Sequence, residues 1–338
     1  MKRFSGAILI LAMLIMTTLT ACGSSTFYIK YELIGGTNSG ENLASFTTED
    51  LGFSLHGATK EGFVFDGWYT DKNYTQNITE ITEAKSYRLY AKWVDAYGRV
   101  LTFDEEFLGD ALDIEYWTAE TGIGKNGWGN NEQQYYKQEN ATVAGGVLTI
   151  TAKAESEGNK SYTSARLKTS GFAQAYGRFE AKIKLPAVQG LWPAFWLLPA
   201  SDDNGVWPRS GEIDIMEGNG KLQDRTTAAL HYSNGIVHNY KNFVNDNISG
   251  FDITDWHVYA VEWKNGEIKW YVDDVQIGVM YASSWNMAFS EGGDAPFNNE
   301  FYIIINLAVG GSYINNDLPP EGFTSAELQV DYIRVYNI

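Results

Sequence analysis

Residues 211–217 have the sequence Gly-Glu-Ile-Asp-Ile-Met-Glu, in which acidic and apolar side chains alternate as they do on a half-buried β-strand. On a regular strand Glu212 and Asp214 share one face, and Glu217 points to the other. Neighbouring carboxylates repel each other and lose hydration when they are buried. Such a row is unfavourable on a purely structural strand, so it indicates a functional site.

Segments with the same two-residue period lie on both sides of this strand. They include residues 147–152, 177–184, 257–263, 268–272 and 301–307. The chain also contains 34 glycines and 7 prolines, and no segment has a convincing amphipathic helical pattern. Many short strands separated by turns are typical of a β-sandwich or jelly roll. We therefore predict an all-β fold for the domain formed by residues 98–338.

The three carboxyl groups can act on the same substrate only if the strand bulges near Ile215–Met216. A β-bulge places two residues opposite one and moves the following side chain to the other face, so Glu217 would join Glu212 and Asp214. A retaining glycosidase needs such a set: a nucleophilic carboxylate, a proton donor with a raised pKa, and a group that orients the nucleophile. The motif alone leaves a calcium site or a solvated acidic face open, although those sites usually use Asp, Asn and Gly loops.

The composition limits the kinds of partner. Of the 338 residues, 44% are apolar and 20% are charged, as in a folded domain with a core. The formal net charge of −17 disfavours nucleic acid and polyanionic substrates, and it is compatible with a neutral substrate. The 11 tryptophans and 21 tyrosines can fill a core or form flat platforms for sugar rings.

The N-terminus has the pattern of an export signal. Two basic residues precede an apolar run at 7–16, which is shorter than the ~20 residues that a membrane span requires. The run is followed by Leu-Thr-Ala-Cys, which resembles a bacterial lipobox with Cys22 as the acylated residue. We expect a signal peptide at 1–21, a lipidated tether at 22–26 and a location on the bacterial cell surface. Cys22 is the only cysteine, so no disulfide is expected.

Residues 27–95 have the pattern of a small β-rich module. The segments GFVFDGWYTDKNYT at 62–75 and LYAKW at 89–93 resemble the Listeria–Bacteroides repeat of bacterial surface proteins. This resemblance implies a β-grasp-like unit that serves as a spacer or adhesive element. One copy is present, so no repeat array is predicted.

The acidic strand resembles the active-site strand of glycoside hydrolase family 16. Its six-residue form, EIDIME, is similar to that of the laminarinase branch. Four further segments match this branch in the same order: WGNNEQQYY at 128–136, YTSARL at 162–167, GLWPAFWLLP at 190–199 and DYIRVY at 331–336. The resemblance implies a jelly roll with an open cleft that cleaves β-1,3-linked or mixed-linkage glucan internally, with retention. It assigns Glu212 as nucleophile, Asp214 as its helper and Glu217 as acid/base.

Three tryptophans are candidates for the cleft wall. Trp192 and Trp196 share a face of one predicted strand with Ala194 between them, which suits a stacking platform for successive glucosyl units. Without the family resemblance, a pair of core residues is the simpler interpretation. Trp207 precedes the acidic strand and is predicted either to line the cleft or to plug the core.

Three polar residues match family positions that contact the substrate. Asn130 and Arg166 correspond to residues that hydrogen-bond sugar hydroxyls, and His231 corresponds to a cleft histidine. The alternatives are a turn residue for Asn130, a surface ion pair for Arg166 and an ordinary strand residue for His231.

The resemblance also implies a structural calcium ion far from the cleft, held at positions that match Glu106, Gly146 and Asp331. No cofactor is expected for catalysis, and 4 His with 1 Cys offer no zinc cluster. We expect a monomer that acts on β-glucan. A galactan hydrolase or transglycosylase on the same scaffold, and a non-catalytic glycan-binding surface lipoprotein, are the alternatives.

Overall fold

The structure is a computed structural model that describes residues 25–233, 237–285 and 294–338. The predicted signal peptide and Cys22 lie outside these residues. Within the described part of the chain, no helix is both long and apolar enough to cross a membrane.

The N-terminal module is built from seven short strands. They are β1 (Phe27–Glu32), β2 (Ser45–Phe46), β3 (Phe53–Ser54), β4 (Val64–Tyr69), β5 (Asn77–Ile78), β6 (Glu80–Ile81) and β7 (Tyr87–Val94). The first and last strands pair in parallel, and β4 pairs antiparallel with β7. This mixed sheet agrees with the β-grasp-like prediction, except that residues 27–95 contain no helix.

The described residues that follow the module form the large domain. Its first strands are β8 (Val100–Glu105), β9 (Trp117–Glu120), β10 (Gln134–Tyr136), β11 (Ala141–Ala144), β12 (Val147–Lys153), β13 (Tyr162–Ser164), β14 (Arg166–Thr169), β15 (Gly177–Lys184) and β16 (Leu191–Pro199). They are followed by β17 (Glu212–Gly218), β18 (Thr226–Ser233), β19 (His238–Val244), β20 (His257–Lys264), β21 (Glu267–Val272), β22 (Val275–Tyr281), β23 (Phe301–Val309) and β24 (Ser325–Asn337). A single helical turn, α1 (Ala282–Trp285), follows β22.

Two sheets pack face to face and enclose the core of this domain. One sheet has the order β19-β18-β17-β16-β23-β14-β9, and we call it the cleft sheet. The other, the outer sheet, includes β8-β24-β15-β20-β21-β22, with β12 also paired to β24. Alternate apolar residues of both sheets meet between them, for example Phe179 and Ile183 of β15 with Ile213 of β17 and Ile305 of β23. The predicted all-β sandwich is confirmed.

The module and the large domain share a sheet and a core. Strand β7 joins β8 through the pair Val94–Val100, so the module extends the outer sheet. Leu101 and Tyr336 of the large domain are buried in the same apolar cluster as Trp93 of the module. Apolar contact across the boundary therefore fixes the module to the sandwich.

Candidate active site

The predicted bulge is present in β17. Trp196 pairs with Asp214, whereas the next pair toward the strand's C-terminal end is Phe195 with Met216, so Ile215 is the extra residue. The register with β18 shifts over the same interval, between Asp214 and Glu217. Because of the bulge, the consecutive residues Ile215 and Met216 both lie in the core. Glu217 consequently joins the face that carries the other two acids.

A tryptophan of the opposite sheet contacts the bulge from inside the sandwich. The Trp270 indole N–H on β21 donates to the backbone carbonyl of Asp214 at 2.9 Å. Both the ring and this hydrogen bond are buried. A bulge disrupts the local ladder, and a buried carbonyl without a partner is costly. Trp270 therefore satisfies the backbone where the strand leaves its regular register.

Two further indoles hold the glutamates. The Trp207 N–H donates to Glu212 Oε2 at 2.8 Å, and the Trp192 N–H donates to Glu217 Oε1 at 3.1 Å. Trp207 is 49% exposed, so it forms a wall of the cleft rather than a core plug. Trp192 is only 9% exposed because its ring stacks on Tyr313, with centroids 5.0 Å apart. Its main contact with the site is the hydrogen bond to Glu217, and little of its ring is open for a sugar.

Two histidines complete a ring of contacts around Glu212. His231 Nε2 lies 3.1 Å from Asp214 Oδ2, and its Nδ1 lies 2.8 Å from His238 Nε2. The His238 ring packs in turn against Trp207, with centroids 4.9 Å apart. His238 was not predicted as a site residue. It lies on β19, which pairs with β18, so its contact with His231 depends on the register of these two strands.

Burial raises the pKa of all three acids. The pKa of Glu212 rises to about 8, because of burial first and the charge of Asp214 second. Burial raises the pKa of Asp214 to about 7. The pKa of Glu217 lies well above its usual value, for the same two reasons as that of Glu212. The charge of His231 opposes the rise at both glutamates. The cluster therefore holds at least one proton near neutral pH, as an acid/base pair requires.

Residues 104–331 match the family described as glycosyl hydrolases family 16, and residues 27–92 match the Listeria–Bacteroides repeat domain. The chain belongs to glycosyl hydrolase family 16. The N-terminal match confirms the predicted module.

Individual relatives agree with this assignment. A beta-glucanase from Rhodothermus marinus is 41% identical over 70% of this chain and 84% of its own length. The clotting factor G alpha subunit of Tachypleus tridentatus is 38% identical over 65% of this chain, which spans only 32% of that relative. The solved laminarinase structure from R. marinus has a TM-score of 0.63 at 38% identity and covers 70% of this chain and 96% of its own. This likeness confirms the jelly-roll fold of the hydrolase.

Beside the acids, Arg166 lies between two indoles. Its guanidinium stacks 4.9 Å from the Trp128 ring centroid and 4.7 Å from that of Trp196, and its Nε–H donates to Glu120 Oε2 at 2.5 Å. Arg166 is 8% exposed, so it is neither a surface ion pair nor a freely accessible ligand for sugar hydroxyls. It holds Trp196 in place. Trp196 remains partly exposed on the cleft sheet, with its N–H bound to Asn306 Oδ1 at 2.8 Å.

A buried glutamate near Arg166 and Trp196 was not predicted from the sequence. Glu132 is 2% exposed, and its Oε2 accepts hydrogen bonds from Gln134 at 2.7 Å and Tyr136 at 2.9 Å. Tyr136 also accepts from Asn306 at 3.2 Å, which links Glu132 to Trp196. The alternation Glu-x-Gln-x-Tyr at 132–136 places these side chains on one face, and that pattern is the signal in the sequence. Asn130 is exposed nearby, with its amide 3.4 Å from Glu132 Oε1.

The backbone register places the predicted calcium residues near the same stretch of β24. Ile333 pairs with Glu105 and Leu148 pairs with Val330, so Glu106 and Gly146 both lie next to Asp331 along that strand. Two carboxylates and a carbonyl are oxygen donors of the kind that calcium prefers. Arg334 contacts Oε1 of Glu106, and Lys182 contacts Oδ2 of Asp331 at 2.6 Å. One oxygen of each carboxylate therefore has a cationic partner, and the other oxygen of each, with the Gly146 carbonyl, is a donor of the chemical type that calcium takes.

The described residues contain a second group of potential metal ligands. Ligand atoms of Glu212, Asp214 and His231 all lie within 4.8 Å of one another. These are the acids of the cleft themselves, so a divalent ion bound there would neutralise the carboxylate proposed to react.

Proposed function

We propose that this hydrolase is a retaining endo-β-1,3-glucanase that also cleaves mixed-linkage β-1,3/1,4-glucan. The observation that carries the proposal is the bulge at Ile215, which brings Glu217 to the face of Glu212 and Asp214. The R. marinus beta-glucanase and laminarinase support this substrate class. A β-1,3-glucan is also neutral, which suits the strongly negative chain.

Hydrolysis then proceeds in two displacements. In the first, a carboxylate oxygen of Glu212 attacks the anomeric carbon, the glycosidic C–O bond breaks, and the Glu217 proton goes to the departing oxygen. In the second, Glu217 takes a proton from water, the water oxygen attacks the anomeric carbon, and the bond to Glu212 breaks. Two inversions at one carbon give net retention.

The first displacement needs Glu212 ionised and Glu217 protonated. An indole N–H favours the ionised form of each glutamate, from Trp207 at Glu212 and from Trp192 at Glu217. Asp214 orients Glu212 through the side-chain hydrogen bond between them and is a positioning residue. Burial and the charge of Asp214 favour the protonated form of both glutamates, and the charge of Glu212 acts in addition on Glu217, so Glu217 is the group that keeps the proton used in the first step. Trp207, Trp196 and Asn130 are exposed enough to contact the sugar chain.

Product analysis tests the proposal. Purified protein is incubated with laminarin, barley β-glucan, lichenan and a set of galactans, and NMR follows the anomer that is released first. The proposal predicts oligosaccharides from laminarin with the β-anomer appearing first. Release of the α-anomer first would overturn retention. Cleavage of galactans alone would favour the galactan hydrolase, longer products the transglycosylase, and glucan binding without products a binding protein.

We further propose that the protein is a monomer anchored to the outer face of the membrane through a lipid on Cys22. The support is the Leu-Thr-Ala-Cys sequence after the apolar run. Metabolic labelling with a fatty acid and detergent partitioning would test the anchor. We expect Cys22→Ala to lose the label and leave the membrane fraction; labelling that persists in this variant would refute it.

We also propose a structural calcium ion held by Glu106, the Gly146 carbonyl and Asp331. Its role is to tie together the strands that meet at this corner of the outer sheet. It is remote from the two displacement steps and supplies no chemistry to them.

A further inference from the structure

A groove of about 1170 Å³ lies between the module and the hydrolase domain. The module contributes Lys72, Tyr74, Arg88 and Tyr90, among others, to one wall. The opposite wall includes the following hydrolase residues: Tyr116, Lys168, Phe172, Glu300 and Tyr302. Its volume exceeds the roughly 300–1,000 Å³ of pockets that enclose small ligands. A cavity of this size suits an extended ligand.

The groove continues from the cleft. Ile213 of β17 pairs with Leu197 of β16, so Glu212 lies opposite Leu198. Leu198 pairs in turn with Tyr302 of β23, which places Tyr302 in line with Glu212 across the cleft sheet, two strands away. Burial raises the pKa of the Tyr302 phenol, and the charge of Glu212 adds to that rise. Tyr302 and its neighbour Lys168 therefore belong to both the cleft face and the groove. A chain that crosses the sheet from Glu212 over β16 and β23 reaches the groove at this point.

The module wall is held firmly against the hydrolase. The Lys60 ammonium of the module lies 2.7 Å from Asp104 Oδ2, and both side chains are almost fully buried. Phe63 of the module stacks on Tyr336 with centroids 6.4 Å apart. Losing one partner of a buried ion pair is strongly destabilising, so the two walls keep their relative position.

The lining has the chemistry of a site for a neutral sugar chain. Tyr116 is 38% exposed and offers an aromatic face, while Tyr74 and Tyr90 line the module side. Acidic side chains outnumber the basic ones along the groove, which disfavours a polyanion. Mixed hydroxyl, ammonium and carboxylate groups beside phenol rings can hydrogen-bond sugar hydroxyls and stack on sugar rings.

We propose that this groove binds the distal glucosyl units of the same β-glucan chain whose cleavage site lies at Glu212. The module then forms part of the substrate-binding surface and is more than a spacer. This inference rests on the proposed function, since it takes the occupant of the cleft to be a β-glucan.

The test measures binding separately from hydrolysis. Full-length protein carrying Glu212→Gln is titrated with long laminarin and with short laminari-oligosaccharides by calorimetry. In this background Tyr116→Ala removes the aromatic face, and Lys72→Ala removes a cation from the module wall. Tyr28→Ala and Lys85→Ala are matched controls, because both residues are exposed on the module outside the groove.

We expect Tyr116→Ala to weaken binding of long laminarin by about three- to ten-fold, as loss of one stacking contact does. Lys72→Ala should weaken it by a smaller factor, with short oligosaccharides unaffected in both variants and the controls unchanged. Equal weakening for short and long chains, or no weakening at all, would overturn the groove as a distal site. Glucan binding by a wild-type protein that hydrolyses no glucan would instead refute the proposed activity and leave the groove assignment standing.

Discussion

Replacing Glu212 by Gln should abolish hydrolysis and make the protein more stable at neutral pH. Burial raises the pKa of this carboxyl from 4.5 to about 8. At pH 7 the hydrogen-bonded pair of Glu212 and Asp214 keeps a proton in the folded protein, whereas both carboxyls lose theirs on unfolding, so folding must take up a proton. The stability that depends on this group is complete below the unfolded pKa and falls as the pH rises toward the folded pKa.

The size of this effect follows from the same two values. Each pH unit above the unfolded pKa costs about 1.4 kcal/mol, so the upper limit at pH 7 is about 3 kcal/mol. Glutamine removes the titration and keeps an oxygen that can accept the Trp207 N–H. Because Glu212 shares its proton with Asp214, we expect a gain of about 1–3 kcal/mol, which corresponds to a Tm several degrees higher.

Thermal unfolding of both proteins at pH 7 and at pH 4, together with kcat on laminarin, measures the two effects. We expect a loss of kcat on the order of 10³-fold or more, with a Tm gain at pH 7 that disappears at pH 4. A variant that is no more stable than wild type at pH 7, or equally stabilised at both pH values, would refute the argument from burial. Near-wild-type turnover would refute the assignment of Glu212.

Three further predictions concern two side chains that support the site and the structural calcium ion. Trp270→Phe leaves the Asp214 carbonyl without its donor and should lower both kcat and the free energy of unfolding, the latter by about 1–3 kcal/mol. The control Trp263→Phe removes a similar buried indole donor to the Phe297 carbonyl and should lower stability alone. An equal fall of kcat in both variants, measured beside urea unfolding, would contradict a specific role at the bulge. His238→Ala removes the partner of His231 and should lower kcat about fivefold with KM unchanged, and His238→Gln should lower kcat by a smaller factor. A rise in KM with unchanged kcat in steady-state kinetics would contradict this prediction. Chelation of calcium should lower Tm and leave kcat at moderate temperature unchanged, with calcium restoring Tm; a loss of kcat at constant Tm would be incompatible with a structural ion.

The acidic strand could be predicted in detail because two independent requirements meet there. The two-residue period fixes Glu212 and Asp214 on one face, and the chemistry needs Glu217 on that face as well. Only a bulge satisfies both. What the sequence could not provide is the support of the bulge, since Trp270 comes from the other sheet, 56 positions along the chain.

The substrate contacts were harder to predict, for a physical reason. The period places Trp192 on the cleft face and the family resemblance predicts a substrate contact for Arg166, but neither shows what covers these side chains. Tyr313 covers Trp192, and the indoles of Trp128 and Trp196 enclose Arg166. These neighbours come from distant segments, so exposure depends on tertiary packing that a local pattern does not contain.

The module shows the same limit. Its strands follow from the local pattern, but its core does not end at the predicted domain boundary. Leu101 and Tyr336 lie outside residues 27–95 and are nevertheless buried in the module cluster. The position of the module beside the cleft, on which the groove depends, follows from this shared core.

Trapping the covalent intermediate tests the central claim most directly. A 2-deoxy-2-fluoro laminaribiosyl fluoride should react with the first carboxylate and hydrolyse slowly, because the fluorine destabilises the transition state of the second step. Peptide mass spectrometry of the inactivated protein then locates the label. We predict one glycosyl adduct per chain, on Glu212, and none in the Glu212→Gln variant. A label on Glu217 or Asp214, or inactivation without any covalent adduct, would contradict the assignment of Glu212 as nucleophile and Glu217 as acid/base.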